Sequence, residues 1–292
     1  MKYITLTDLT TAVRKNIWKI PHDIDFVIGI PRSGMLPATI IAEFINVPLI
    51  DLHSLCRGGI PSGGNRLSLV KKQTKDRMKV LVVDDTVFSG TSMKAARKVL
   101  EPLEEKIDLV YCAAFLEGPG ENTIDIYLED VRMYTNNYKD IVIYEWNVFH
   151  HYAPTSMCCM YDIDGVFCMD PPDERDEETY RDYIANAVPL FVPKVPIGKI
   201  VTYRLQKNEQ ITKDWLERHD IRYGKLIMFP AQTWEERNAT GITPEQMKAE
   251  AYMNDAQSKL FIESNDYQAR RIWEISKKPV LCVETNKLYG GE

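Results

Sequence analysis

The stretch 79–93, Lys-Val-Leu-Val-Val-Asp-Asp-Thr-Val-Phe-Ser-Gly-Thr-Ser-Met, restricts the fold more than any other part of this sequence. Four consecutive apolar residues, Val80 to Val83, read as a buried strand, with Asp84 and Asp85 standing at its end. A small hydroxylated loop follows, carrying Thr86, Ser89, Gly90, Thr91 and Ser92. Met93, Ala96, Val99, Leu100 and Leu103 then recur at helical spacing. Backbone N–H groups at a helix N-terminus suit a phosphate. Carboxylates beside them accept hydrogen bonds from sugar hydroxyls. Strand, acidic pair, small loop and helix together describe a pocket for a sugar phosphate.

The flanking segments repeat the alternation. Residues 1–20 read as a lead-in helix with Leu9, Val13, Ile17 and Trp18 on one face. Residues 24–30 read as a strand running into Pro31-Arg32-Ser33-Gly34, with a helix following through Ile40, Ile41 and Phe44. Further strands are expected at 47–51 and 107–116, and short ones at 124–127 and 141–144. Alternating strands and helices argue for a parallel α/β sheet, with ligands at the carboxyl ends of its strands, where Arg32 and the Asp84/Asp85 pair fall. Residues 56–68 contain four glycines and a proline and exclude a regular element. Trp146 and Phe149, in the closing segment, suit either a stacked planar base or a core contact.

The 79–93 string closely resembles the signature of type I phosphoribosyltransferases, which bind 5-phosphoribosyl pyrophosphate (PRPP). The resemblance implies that Asp84 and Asp85 hold the ribose hydroxyls and that the loop from Thr86 through Ser89 and Gly90 to Thr91 holds the 5-phosphate. It also implies that Arg32, Ser33 and Gly34 contact pyrophosphate, in a loop that often contains a non-proline cis peptide. The glycine-rich stretch matches the place of a mobile lid, with Arg57 and Arg66 as candidates to meet the pyrophosphate charge. A lid excludes water from a reagent prone to hydrolysis.

A chain of 292 residues suggests two domains. The formal net charge of −6 gives no sign of a nucleic-acid binder, although a local basic groove stays open. No apolar run reaches the roughly 18 residues of a membrane span, and the first residues lack a signal-peptide pattern. The six cysteines form no CxxC pair and read as reduced core thiols of a cytoplasmic protein.

The pattern restarts near 152–157. Cys158 to Tyr161 is a short apolar run ending in Asp162-Ile163-Asp164-Gly165. Residues two apart on an extended segment point the same way, so Asp162 and Asp164 converge at a strand end. Two such carboxylates bind Mg²⁺ through oxygen, and one can attack phosphorus while the other handles protons. Residues 199–202 form a strand ending in Thr202; Thr243-Pro-Glu-Gln246 is a capping box opening a helix with Lys248; and 260–262 is a strand followed by Glu263 and Asp266. Glu174 to Ala187 reads as one acidic helix with a mostly solvated face.

This ordered set resembles the four motifs of haloacid-dehalogenase-type (HAD) phosphatases over about residues 158–285. The resemblance implies Asp162 as nucleophile, Asp164 as general acid and base, and Thr202 and Lys248 as holders of the phosphoryl oxygens. A Mg²⁺ site would use Asp162, Asp164 and either Glu263 or Asp266. Lys225 is the rival lysine, less favoured because Lys248 leads directly into the last acidic strand. Phe167 replaces the small hydroxylated residue of many members, and Glu-Ser-Asn-Asp replaces their paired aspartates. Arg204 resembles a basic residue of polynucleotide-end phosphatases. The short span before Thr202 leaves no room for a large cap.

The expectation is therefore a two-domain α/β chain, with a phosphoribosyltransferase-like domain at 1–154 and a HAD-like phosphatase at 155–292, each a mainly parallel sheet flanked by helices. Its expected work is transfer of phosphoribose from PRPP to a base or similar acceptor, with Mg²⁺ neutralising the pyrophosphate, and hydrolysis of a phosphomonoester such as the product's 5-phosphate. Two alternatives stay open: a phosphatase serving free nucleotides or nucleic-acid ends, and a first half that senses PRPP without transfer. The acceptor and the formation of a homodimer are not readable.

Overall fold

The computed structural model describes residues 1–64, 77–134, 141–150, 156–171 and 177–291. Its contacts divide the chain into two compact units, Ile4–Val142 and Ile143–Glu292, the latter joined by Met1–Tyr3. This division falls ahead of the 154/155 boundary expected from sequence, so residues 143–150 group with the second unit.

Strand β1 (Lys2–Ile4) falls mostly in the second unit, and the first unit opens with α1 (Leu6–Asn16). A capping box starts the helix: the Thr5 hydroxyl accepts the Asp8 N–H at 3.1 Å, and the Asp8 carboxylate accepts the Thr5 N–H at 2.9 Å. Leu9, Ala12 and Val13 are buried on one face. Trp18 does not join them. The chain tightens to a 3₁₀ turn over Ile17–Lys19, which rotates Trp18 off that face and leaves it 70% exposed.

The strands β2 (Phe26–Gly29), β3 (Leu49–Asp51), β4 (Met78–Val87), β5 (Ile107–Leu116) and β6 (Ile126–Asp130) form a sheet in the order β3-β2-β4-β5-β6. Every pairing in it is parallel. Val80 to Val83 are fully buried, as a central strand covered on both faces requires. The helices α2 (Met35–Ile45) and α4 (Thr91–Leu100) follow β2 and β4, with the short α3 (Leu52–Cys56) after β3. Ile28, Val82, Met93, Ala96 and Leu100 belong to one core. Cys56 ends α3 exposed and Cys158 is half-buried, so neither is the core thiol expected of it.

After β7 (Val142–Tyr144), the second unit builds its own sheet from β8 (Cys159–Tyr161), β9 (Ile197–Leu205), β10 (Tyr223–Phe229), β11 (Leu260–Glu263), β12 (Val280–Cys282) and β13 (Lys287–Tyr289). Their order is β10-β9-β8-β11-β12-β13, parallel except for the last pair. The helices are α5 (Glu177–Asn186), α6 (Glu209–Arg218), α7 (Trp234–Ala239), α8 (Pro244–Met253) and α9 (Asp266–Ser276). A separate core gathers Met160, Val201, Ala249, Phe261 and Ile272. No helix among the described residues is long and apolar enough to cross a membrane.

Candidate functional site

In the first unit the site arises from unequal strand lengths. Strand β2 ends at Gly29, opposite Val83 of β4, while β4 continues beside β5 as far as Val87 opposite Leu116. Asp84 and Asp85 therefore lie inside β4 rather than at its end, just past the point where β2 stops. The loop Pro31–Gly34 fills the space that β2 vacates. The Ile30 N–H donates to the Val83 carbonyl at 2.9 Å. A Cβ on Gly34 would sit 2.8 Å from that carbonyl oxygen and 2.9 Å from Asp84 Oδ1, so only glycine allows the approach. The Pro31–Arg32 peptide is cis. Arg32 is exposed and Ser33 half-buried.

The loop after β4 closes the other side. Gly90 takes a left-handed φ of 74° at the N-cap of α4, and having no side chain it leaves that helix start uncapped among the described residues. The Ser89 and Thr91 hydroxyls are 2.8 Å apart, both on exposed residues, and Thr86 is half-buried. Asp84 and Asp85 are 7% and 6% exposed. Burial first, then the charge of Asp85, pushes the Asp84 carboxyl up to about 8. The structure thus brings the Arg32–Gly34 loop, the acidic pair and the Ser89–Thr91 turn to one end of the sheet. Arg57 follows α3 and is exposed, in a segment that returns to pair Ser62 with Leu49. Arg66 lies outside the described residues.

In the second unit Asp162 follows β8, and its N–H donates to the Ile262 carbonyl of β11 at 2.9 Å. Lys248, on α8 behind the Thr243 cap, donates to Asp162 Oδ2 and Glu263 Oε2, each at 2.7 Å, and to Gln268 Oε1 at 2.8 Å. Burial disfavours the ammonium, but the two carboxylates outweigh it and hold Lys248 above the usual lysine range. Burial pushes Asp162 up to about 8; Lys248 opposes the rise while Glu263 and Asp164 add to it. Lys225 is exposed on β10, so Lys248 is the lysine brought to Asp162.

Asp164 is turned elsewhere. It accepts Arg204 Nε at 3.0 Å, Arg204 Nη2 at 2.5 Å and the Tyr183 hydroxyl at 2.7 Å. Burial pushes its carboxyl up, but the Arg204 guanidinium and these hydrogen bonds hold it below the usual range. Tyr183 comes from α5, the helix expected to present mainly a solvated face. Tyr180 and Ile184 of that helix are buried. The recurrence Tyr180, Tyr183, Ile184, Ala187 was the available signal for a packed face.

The remaining expected residues divide. Strand β9 runs on through Thr202 to Leu205; Thr202 is fully buried and its hydroxyl accepts the Arg204 N–H at 3.3 Å. Asp266 does not reach the cluster: as the first residue of α9 it accepts hydrogen bonds from Thr285 at 3.0 Å and Tyr289 at 2.7 Å. Of the four acids expected to hold a metal, only Asp162 and Glu263 face a common point, across Lys248. Among the described residues no three histidine, cysteine or acidic side chains gather in a metal-binding set. Asp162, Asp164, Lys248 and Glu263 line a cavity of about 580 Å³, with Asp170 and Glu284 also in its wall. Burial, then the charges of Asp164, Glu263 and Glu284, pushes Asp170 up. Sequence reading passed over Asp170, Tyr183, Gln268 and Glu284, which carry no motif.

Neither Trp146 nor Phe149 stands alone. Trp146 packs on Tyr144 with ring centroids 5.1 Å apart, and buried Phe149 stacks on Phe191 at 4.5 Å.

Comparison with known proteins covers the first half of the chain. A xanthine-guanine phosphoribosyltransferase of Chromohalobacter salexigens is 27% identical over 112 residues, 38% of this chain and 65% of that protein. The purine biosynthesis transcriptional repressor PurR of Bacillus subtilis is 23% identical over 158 residues, 47% of this chain and 55% of that protein. The chain thus spans less than two thirds of the length of either relative. The solved xanthine-guanine-hypoxanthine phosphoribosyltransferase of Helicobacter pylori superposes with a TM-score of 0.35 at 19% identity, over 50% of this chain and 93% of that one. Residues 5–152 match the phosphoribosyl transferase domain, and the chain belongs to that family.

Proposed function

We propose that the first unit binds PRPP and transfers its phosphoribosyl group to a purine-like base, releasing pyrophosphate. The observation that carries this reading is the approach of the Gly34 loop to Asp84 in a domain of the phosphoribosyl transferase family. The ribose hydroxyls donate to Asp84 and Asp85, the Ser89–Thr91 turn and the α4 N-terminus take the 5-phosphate, and Arg32 faces the pyrophosphate. The buried, adjacent carboxylates fit a magnesium ion, an oxygen-seeking cation commonly held by one or two carboxylates together with phosphate. When bound, the ion neutralises charge on the leaving pyrophosphate. The names of the relatives suggest guanine, xanthine and hypoxanthine as the first acceptors to try. Release of pyrophosphate from PRPP with one of them supports transfer; PRPP binding with no release under any base overturns it. That second outcome favours a PRPP-responsive binding module, the reading that the similarity to PurR supports.

The second unit we read as a HAD-type phosphatase, supported by the Lys248 ammonium set between Asp162 and Glu263. Asp162 attacks phosphorus, the bond to the leaving oxygen breaks, and Asp164 supplies that oxygen with a proton. Asp164 then takes a proton from the water that releases phosphate from Asp162. The hold of Arg204 on Asp164 fits the second step best, because a carboxylate kept ionised is ready to accept a proton. Two buried carboxyl groups share the one ammonium of Lys248, a donor set that fits a magnesium ion there. Such an ion stabilises charge on the transferring phosphoryl group. Magnesium-dependent hydrolysis of a phosphomonoester, lost in Asp162→Asn with PRPP binding retained, tests this half. Hydrolysis that survives the substitution overturns it. The two activities in sequence would remove the 5-phosphate from the transfer product and draw the transfer forward.

A further inference from the structure

The cavity beside Asp162 is far larger than a phosphate group. At about 580 Å³ it falls within the roughly 300–1,000 Å³ typical of small-molecule sites. Its floor is charged, but part of its wall is apolar and open: Met169, Leu190 and Phe191 line it and are 51%, 41% and 49% exposed. Apolar side chains gathered in a cavity mark a binding surface more often than chance exposure.

Phe191 is the best-defined of these. Its N–H donates to the Val166 carbonyl at 3.4 Å, and the Leu190 N–H donates to the Phe167 carbonyl at 2.8 Å. The backbone thus pins Phe191 to the turn that directly follows Asp164 and Gly165. Phe149 covers one face of the Phe191 ring, with centroids 4.5 Å apart and planes 4° from parallel. Phe149 itself is 7% exposed. With that face closed and half of the side chain exposed, the opposite face and the edges are what Phe191 offers to the cavity. The other aromatic residue in the wall, Tyr203, has the Arg237 guanidinium 4.3 Å from its ring centroid. Phe191 on its buried Phe149 backing is a flat, fixed platform next to the phosphoryl site.

We infer that Phe191 stacks the planar base of a nucleoside monophosphate whose phosphate lies at Asp162, so that the second unit selects nucleotides over base-free sugar phosphates. This rests on the phosphatase reading of Asp162 and Lys248 and adds the class of its leaving group. A stacked ring contributes through its π-face whatever the base, so the selection is for planarity rather than for one base.

The test compares kcat/KM for guanosine 5′-monophosphate with that for ribose 5-phosphate, in the full chain with magnesium. Wild type should favour the nucleotide about tenfold or more. Phe191→Ala should bring the ratio close to one, mainly through KM for the nucleotide. Phe191→Leu, which keeps apolar volume without a ring, should lose the preference, and Phe191→Trp, which keeps a ring, should retain it. A wild type that hydrolyses both with a ratio near one, or a leucine variant that keeps the preference, overturns the inference while leaving the phosphatase reading intact. A wild type that hydrolyses neither overturns the phosphatase reading, and this inference with it.

Discussion

Arg204 grips Asp164 by both carboxylate oxygens, with Nε 3.0 Å from Oδ2 and Nη2 2.5 Å from Oδ1. The arginine side chain is wholly buried and that of the aspartate is 16% exposed. Asp164 is therefore oriented by a charge that water does not screen, and Tyr183 donates to its Oδ1 from helix α5. Asp162, two residues earlier, has Lys248 as its one basic hydrogen-bond partner among the described residues.

Arg204→Met should leave Asp164 as a buried charge without its partner. Breaking one side of such a pair costs about 3–5 kcal/mol, measurable by chemical denaturation of the second unit. Adding Asp164→Leu should recover much of that loss, because the unpaired carboxylate is then gone. A double variant no more stable than the single one would show that the fork is not what matters.

Lys248→Met should abolish most of the phosphatase activity proposed for the second unit, at least about a hundredfold, the scale set by losing one charged group aimed at the transition state. It should also destabilise the second unit, since Asp162 and Glu263 then face each other without the ammonium that joins them. Glu263→Gln added to Lys248→Met should restore stability but not activity. Thermal melts and steady-state kinetics on the same two proteins separate these effects.

The ligand-free first unit should lose stability as pH rises. The Asp84 carboxyl titrates near 3.8 in an unfolded chain and is raised to about 8 in the folded one. Between those values the folded state holds a proton that the unfolded state has released, so folding is favoured at the acid end of the window and weakened towards pH 8. Asp84→Asn removes this slope. Its unfolding free energy should exceed that of the wild type by a margin that grows from pH 5 to pH 8, on the order of a few kcal/mol at the upper end. A constant margin would place the proton elsewhere.

The same carboxylates should cost binding when neutralised. Asp84→Asn with Asp85→Asn should weaken PRPP binding tenfold or more, since hydrogen bonds to charged groups contribute about 1.5–3 kcal/mol each. Calorimetry showing an unchanged affinity would remove this pocket from consideration.

Gly34→Ala tests the approach of the loop to β4. The new Cβ would meet the Ile30 carbonyl oxygen at 2.5 Å and Asp84 Oδ1 at 2.9 Å. Relieving that crowding should cost about 1–3 kcal/mol and displace Arg32, so PRPP affinity should fall together with stability. An alanine variant with wild-type melting and affinity would mean that the loop gives way without cost.

The elements that sequence reading placed best are those whose burial shows in composition. Strand β5 matches its apolar run from Ile107 to Leu116, and Thr243 caps its helix as the Thr-Pro-Glu-Gln pattern indicated. Strand β4 runs past its apolar stretch because Asp84 to Val87 keep their pairing with β5, a long-range contact that no local pattern announces. Trp18 was misplaced because helical spacing was carried across a 3₁₀ turn. Asp266 and Glu263 lay close together in sequence, and only the start of α9 at Asp266 points one away from Lys248 while the other reaches it. Tyr183 escaped notice because its role depends on where α5 docks.

Two separate cores, one around Val82 and Met93 and the other around Met160 and Phe261, bear on how this chain melts. A single transition temperature describes a chain that unfolds as one cooperative block; here each sheet has its own block. A heat-capacity trace should therefore resolve into two components, and each ligand should move the component that contains its site, by mass action on the folded form. The calorimeter then works as a map. PRPP shifting one peak and a phosphate mimic the other would assign each chemistry to its half of the chain before any turnover is measured.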